Sequence, residues 1–329
     1  ANGGITFNGT INDIDSTHTL TLNTNGTSPT GITTFVGTVG STNPLGAIIT
    51  DSHGTTEIHG GSVRTAGTQT YNDPVSIQTA NATLTGSTVT FTDTVSSFPA
   101  STFGLEVAGN AVFGDTGDGS TANDTVTNLS NLTVDGATTI NTETITTNGD
   151  QTYGDNTNTT TDTVTNNTNV TFTVPGTALA RFRSTLGSGV AAGNNVTIAT
   201  GNARFDGQVG GATNGVRNLN ISAGTTALYA DVITTETQSY TGTVTLYASP
   251  TLTSSGVAAA GNISFIGAIN GDAADTRGLT VNTAGTTTFG GVVGGTRLTT
   301  LTTDLDGMTR INGGEISTYG AQTYNDPVV

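Results

Sequence analysis

Four copies of one short phrase set the terms for this chain: Gln69-Thr70-Tyr71, Gln151-Thr152-Tyr153, Gln238-Ser239-Tyr240 and Gln322-Thr323-Tyr324. Their tyrosines recur at a period of roughly 85 residues, and a fixed period of tens of residues marks stacked repeats. Each unit of such a stack is unable to bury its apolar face alone. The first and last copies run on as Tyr71-Asn72-Asp73-Pro74-Val75 and Tyr324-Asn325-Asp326-Pro327-Val328.

The repeat has an internal grammar. A short strand ends in Phe7, Phe91, Phe172 or Phe265. A second phenylalanine follows with small or polar neighbours, at Phe35, Phe113, Phe205 and Phe289. Then a Gly-Thr-Thr-like turn opens a strand, as in Gly54-Thr55-Thr56-Glu57-Ile58 and Gly307-Met308-Thr309-Arg310-Ile311. In the last repeat the landmarks stand at Tyr240, Phe265, Phe289, Ile311 and Tyr324: three similar steps, then one about half as long. These steps predict about four coils of roughly 21 residues per repeat, or 15 to 16 coils in all. All eight phenylalanines named above are expected to point inward.

Composition supports order of an unusual kind. Of 329 residues 33% are hydrophobic and 10% charged, the net charge is −16, and all eight basic residues are Arg. Low hydrophobicity with high net charge is the signature of disorder. Here, however, β-branched residues alternate with polar ones between Gly, Asn and Asp turns, which is strand material. Helix periodicity is nearly absent, and Val257-Ala258-Ala259-Ala260 reads as a loop. Tandem sandwiches of about 84 residues are the rival architecture, but the chain has no Trp for such cores. The reading is an all-β chain: one continuous β-solenoid over residues 1–329, with repeat units 1–71, 72–153, 154–240 and 241–324, and 325–329 opening the next.

The acidic balance argues against nucleic-acid partners and anionic membranes, and no apolar run approaches a membrane span. Cysteine is absent, which excludes disulfides and thiolate metal sites. Ala1-Asn2-Gly3-Gly4 leads straight into Ile5-Thr6-Phe7, so the expectation is a segment that begins inside a repeat.

Gly285-Thr286-Thr287-Thr288-Phe289-Gly290-Gly291-Val292-Val293-Gly294-Gly295 and the stretch from Gly313 through Gln322-Thr323-Tyr324-Asn325-Asp326-Pro327-Val328 resemble the β-strand repeats of very large bacterial surface proteins. Those are similar to filamentous haemagglutinin and other two-partner-secretion adhesins. The resemblance covers essentially the whole chain. It implies a right-handed parallel β-helical stalk exported to the cell surface. The chain departs from the pattern near residues 115–124 and 154–169, where Asp, Asn and Thr replace the Gly-Gly turn and apolar strand.

Each candidate for chemistry has a plainer reading. His53, Glu57 and His59 suggest a metal or acid–base site. The repeats supply an internal control, because Asn141, Tyr229 and Asn312 take the place of His59 in the other units. With His18, these are read as solvated turn residues. Asp304 and Asp306 could form the carboxylate pair of a glycan-cleaving enzyme on one strand face, although Gly307 follows directly. Asp115, Asp118 and Asp124 form a second acidic group. Asp115-Thr116-Gly117-Asp118-Gly119-Ser120 has the look of a Ca²⁺ loop without the full ligand spacing, so only weak, opportunistic calcium is expected. Asn-x-Ser/Thr triplets at Asn8, Asn81, Asn131, Asn169, Asn195, Asn220 and Asn262 permit glycosylation. Threonine ranks are too interrupted for an ice-binding face.

The expectation is a non-catalytic structural segment of an extracellular fibre, stalk or adhesin, with no catalytic, cofactor or metal residues. Its partners are neighbouring repeats or further copies end to end, with surface glycans or other cells beyond them. The alternative is a glycan-binding or glycan-active β-helix module, which a row of aromatic residues along a groove would favour.

Overall fold

Alternation of Thr with Val, Ile and Leu gives each short strand one apolar and one hydroxylated face. Only stacking in register can bury the first. The computed structural model describes residues 3–24, 31–100, 102–115, 124–155, 162–191, 193–199, 201–211, 215–222 and 224–329. Its contacts form two compact units, Ala1–Val164 and Thr165–Val329. Each is a parallel β-solenoid in which the chain visits three faces per coil.

In the Ala1–Val164 unit the first face stacks Ile5–Phe7, Ile32–Phe35, Thr55–Ile58, Val75–Gln78, Val95–Phe98, Val126–Leu129 and Thr144–Thr147. The second face includes Ser62–Arg64, Leu132–Val134 and Gln151–Tyr153, and the third Thr19–Leu22, Ala47–Thr50, Gln69–Tyr71 and Thr138–Ile140. Ala82–Phe91 and Leu105–Phe113 pair with each other along their length and run across the second and third faces. They meet Ser62–Arg64 and Leu132–Val134 by their first halves, and Gln69–Tyr71 and Thr138–Ile140 by their second. In the Thr165–Val329 unit the first face runs from Val170–Thr173 through Gln238–Tyr240 and Ile263–Phe265 to Met308–Ile311. Its second runs from Leu179–Phe182 to Ile316–Thr318, and its third from Leu186–Ser188 to Gln322–Tyr324. Among the described residues, the one departure from strand and turn is a single 3₁₀ turn at Ala258–Gly261.

The coil is longer than the landmark spacing predicts. Its length also varies, since Thr56 pairs with Val75 whereas Val95 pairs with the far more distant Val126. The interval from Gln238 to Gln322 contains eleven strand segments, and so does the interval from Gln69 to Gln151 once Ala82–Phe91 and Leu105–Phe113 are each counted on both faces they cross. At three strands per coil, a repeat is three coils and two-thirds of roughly 23 residues each, not four coils of roughly 21. The total therefore falls below 15 or 16. The short step from Ile311 to Tyr324 is the reason: it is two strands, not a short fourth coil. Consequently the phrase steps back one face per repeat. It goes from the third face to the second in the first unit, and from the first to the third in the other.

The full steps build an aromatic column. Tyr71, Phe91, Phe113 and Ile140 stand in successive coils at one register position, and Tyr240, Phe265, Phe289 and Ile311 repeat this. Ring centroids lie 5.5 and 5.6 Å apart in the first column and 5.2 and 5.7 Å in the second, near-parallel. Such pairs add about 0.5–1.5 kcal/mol beyond burial. Phe35, Phe91, Phe113, Phe172, Phe205, Phe265 and Phe289 are buried as expected; Phe7 is half-buried on the first strand described. Phe182, outside the expected set, is buried as well and stacks on Phe205.

In two of the four repeats the Gly-Thr-Thr-like turn requires glycine. Gly54 (φ +88°) and Gly307 (φ +78°) sit so close to the coil beneath that a Cβ would collide with the backbone oxygens of Gly31 and Gly285. Asparagine has a second recurring job. The side-chain oxygens of Asn81, Asn169, Asn202, Asn262 and Asn270 accept backbone N–H groups from the next coil. Three of these, Asn81, Asn169 and Asn262, belong to glycosylation triplets and use their side-chain oxygen in this way.

Candidate functional site

The repeated phrase is spent on the interior. Gln69, Gln151 and Gln238 are buried. Each donates Nε2 to an earlier carbonyl, on Val63, Ile145 and Val232, at 3.1, 3.1 and 3.4 Å. Gln322 does the same to Ile316 at 3.1 Å, though exposed. The tyrosine hydroxyl that follows donates to the glutamine Oε1 in all four copies, at 2.9 to 3.1 Å. A threonine ahead of each glutamine (Thr65, Thr147, Thr234 and Thr318) closes the corner by donating to a carbonyl of its own turn. Burial holds the Tyr71 and Tyr240 phenols far above their ordinary pKa, so they act as neutral donors.

The Asn-Asp-Pro extension makes a second lock. Asp73 is 2% exposed and accepts hydrogen bonds from the hydroxyls of Thr50 (2.6 Å) and Thr56 (2.9 Å), while Asn72 donates to the Thr50 carbonyl. Asp326 reproduces the arrangement with Thr303 and Thr309 at 2.8 and 2.9 Å, and Asn325 with the Thr303 carbonyl. Burial pushes the Asp73 carboxyl up to about 6, against the pull of the two hydroxyls. The folded state therefore holds a proton that the unfolded chain releases near its ordinary value of 3.8. The contribution of Asp73 to stability is fully present below that value and is lost as pH rises through about 6, by about 3 kcal/mol at most. Urea midpoints measured from pH 4 to 7 should show this decline, and Asp73→Asn should flatten it. An Asp73→Asn profile parallel to the parent's would mean that Asp73 does not titrate there.

The sequence candidates separate once placed. His59, Asn141, Tyr229 and Asn312 all donate their backbone N–H to the carbonyl of the second phenylalanine, so the repeat alignment that relates them is structural. His59 Nε2 lies 3.2 Å from Glu57 Oε2, on the outer surface of the first face of its unit. His53 instead faces Asp51 at 3.8 Å. Among the described residues, only Asp13, Asp15 and His18 bring three potential metal ligands together. There Asp13 accepts the backbone N–H and Nδ1 of His18, each at 2.8 Å. That backbone N–H leads in holding the Asp13 carboxyl down to about 2, and Asp13 in turn raises the His18 imidazole. Asp304 and Asp306 do not form a pair on one strand face, in keeping with the turn that the following Gly307 suggests. They fall in the turn after Leu301–Thr303 that ends at Gly307 (φ +78°), with Asp304 half-buried and Asp306 exposed. Asp115 donates its backbone N–H to Asp124 Oδ2 at 3.3 Å; Asp118 and the rest of the calcium-like loop, residues 116–120, lie outside the described residues.

Two surface features lie outside the sequence candidates. In the Thr165–Val329 unit, the Arg204 guanidinium lies 4.3 Å over Tyr229, whose ring stacks on Tyr247 at 4.4 Å. Arg181 and Arg204 both donate Nε to Asp206, at 2.7 and 2.6 Å. This row satisfies itself from coil to coil. The second feature is open. In the Ala1–Val164 unit Phe98 is 66% exposed beside a groove of about 470 Å³ lined by Glu57, Ser76, Gln78, Ser96 and Asn128. Coil register builds it: Glu57, Ser76 and Ser96 stand in one row and Gln78 with Phe98 in the next. The strand Val95–Phe98 points Val95 and Ser97 inward, so alternation turns Phe98 out.

Comparison with protein-family models, with curated proteins and with solved structures returned no match.

Proposed function

We propose that this chain is a non-catalytic structural segment of an extracellular fibre, stalk or adhesin, of the filamentous-haemagglutinin kind that its phrases resemble. The observation that carries the reading is where the repeated chemistry goes. Every copy of the Gln-x-Tyr phrase closes a corner of the coil upon itself. Both Asn-Asp-Pro extensions tie a buried carboxyl to threonines of the preceding coil and of the adjoining strand. What is repeated serves stacking, and a stacking unit extends by adding coils, so neighbouring repeats or further copies end to end are its natural partners. Net charge −16 keeps such a fibre apart from nucleic acid and anionic membrane.

Gold-labelled antibody raised against this chain, applied to intact cells that make it, tests the reading. Label along thin projections outside the envelope is expected. Label reached only after the cells are opened would overturn it.

A further inference from the structure

We propose that the groove beside Phe98 binds a neutral carbohydrate chain, with the Phe98 ring as its platform. This goes beyond the stalk reading and stands independently of it. Three observations converge. A phenylalanine left 66% exposed on an otherwise hydroxylated face is an apolar surface held out toward solvent. Hydrogen-bonding groups around it are unspent. Glu57 receives His59 and a long 3.5 Å bond from Thr34 on Oε2, leaving Oε1 open. Gln78 makes a single 3.4 Å side-chain contact, to Ser76, and the Asn128 side-chain amide has no protein partner among the described residues. Finally, the site is concave, and its volume falls in the range of small-ligand clefts.

A sugar ring matches that arrangement. Its C–H face packs on an aromatic ring, and its hydroxyls both donate and accept, as an amide pair and a carboxylate oxygen require. The charge selects among sugars. Among the described residues Glu57 is the one charged side chain lining the groove, no arginine lines it, and the chain is strongly acidic. A uronate, sulfate or phosphate would meet repulsion there. Successive coils place equivalent positions about 4.8 Å apart, which lets one extended saccharide lie across several of them.

The test is titration calorimetry of the full chain with neutral hexasaccharides of glucose, mannose and galactose, and with oligogalacturonate as the acidic counterpart. At least one neutral hexasaccharide should bind with Kd in the range of about 0.1–5 mM, and oligogalacturonate at least about tenfold more weakly. Phe98→Ala should weaken binding by about tenfold or more while leaving the thermal midpoint unchanged, and Phe98→Tyr should retain it. Gln78→Ala, also a surface change, should weaken it severalfold. Absence of heat with every neutral probe at tenfold the upper Kd, tighter binding of oligogalacturonate, or binding indifferent to Phe98→Ala would each overturn the proposal.

Discussion

Replacing Gln238 by Leu is expected to lower the stability of the protein by about 2–6 kcal/mol, because the change strands two buried polar groups and a half-buried one at once. The Gln238 amide donates to Val232 and Thr253 carbonyls and accepts from the Tyr240 hydroxyl at 3.0 Å. The Val232 and Tyr240 bonds lie in the interior and the Thr253 bond at its half-buried edge, and an unmade buried hydrogen bond costs about 1–3 kcal/mol. The chain supplies its own control. Gln322→Leu removes the same pair of bonds at an exposed copy, where water can replace them, and should cost under about 1 kcal/mol. Tyr240→Phe should cost about 1–2 kcal/mol in the parent and clearly less in Gln238→Leu, since its acceptor has already gone. Denaturant unfolding of the four variants measures this. Equal losses for Gln238→Leu and Gln322→Leu would show that burial of the phrase does not matter to stability.

Period-two alternation and the spacing of Phe35, Phe91, Phe113, Phe265 and Phe289 are enough to read a stacked parallel β-fold and an inward aromatic column. The coil length is not legible from the same landmarks. The steps from Tyr240 to Phe265, to Phe289 and to Ile311 are full coils, whereas the step from Ile311 to Tyr324 is two-thirds of one. Spacing alone does not distinguish a short coil from a partial one. Strand counting does, because eleven strands cannot be shared equally among three faces. The lock around glutamine is visible in principle, as Thr65, Thr147, Thr234 and Thr318 stand at one fixed offset ahead of it. The outward turn of Phe98 is visible too, if the alternation of Val95-Ser96-Ser97-Phe98 is followed to its end. The lining of its groove is not, since Glu57, Gln78 and Asn128 come from different coils and only register brings them together.

That register is the basis of the largest expected effect. Deleting residues 263–286 removes one coil and should leave a folded protein, whereas deleting residues 263–274 should abolish the cooperative unfolding of the Thr165–Val329 unit. The longer deletion joins Asn262 to Thr287. Because Ile263 and Phe265 pair with Thr287 and Phe289, the strand Gln238–Tyr240 simply receives the next coil, and Tyr240 stacks on Phe289. Val244 then meets Val293, which normally lies one coil beyond Ile269. Inward and outward faces are kept throughout. The shorter deletion instead joins Asn262 to Asp275, so that Asp275 and Arg277 take the buried places of Ile263 and Phe265. Burying two charges in an apolar column costs several kcal/mol each, and every strand beyond enters half a turn out of phase. Circular dichroism melts and limited proteolysis separate the outcomes. The longer deletion should keep a sharp, somewhat lowered transition, and the shorter should lose it and be cut throughout residues 238–329. A shorter deletion that melts as sharply as the parent would mean that the three-strand coil is not the unit in which this chain folds.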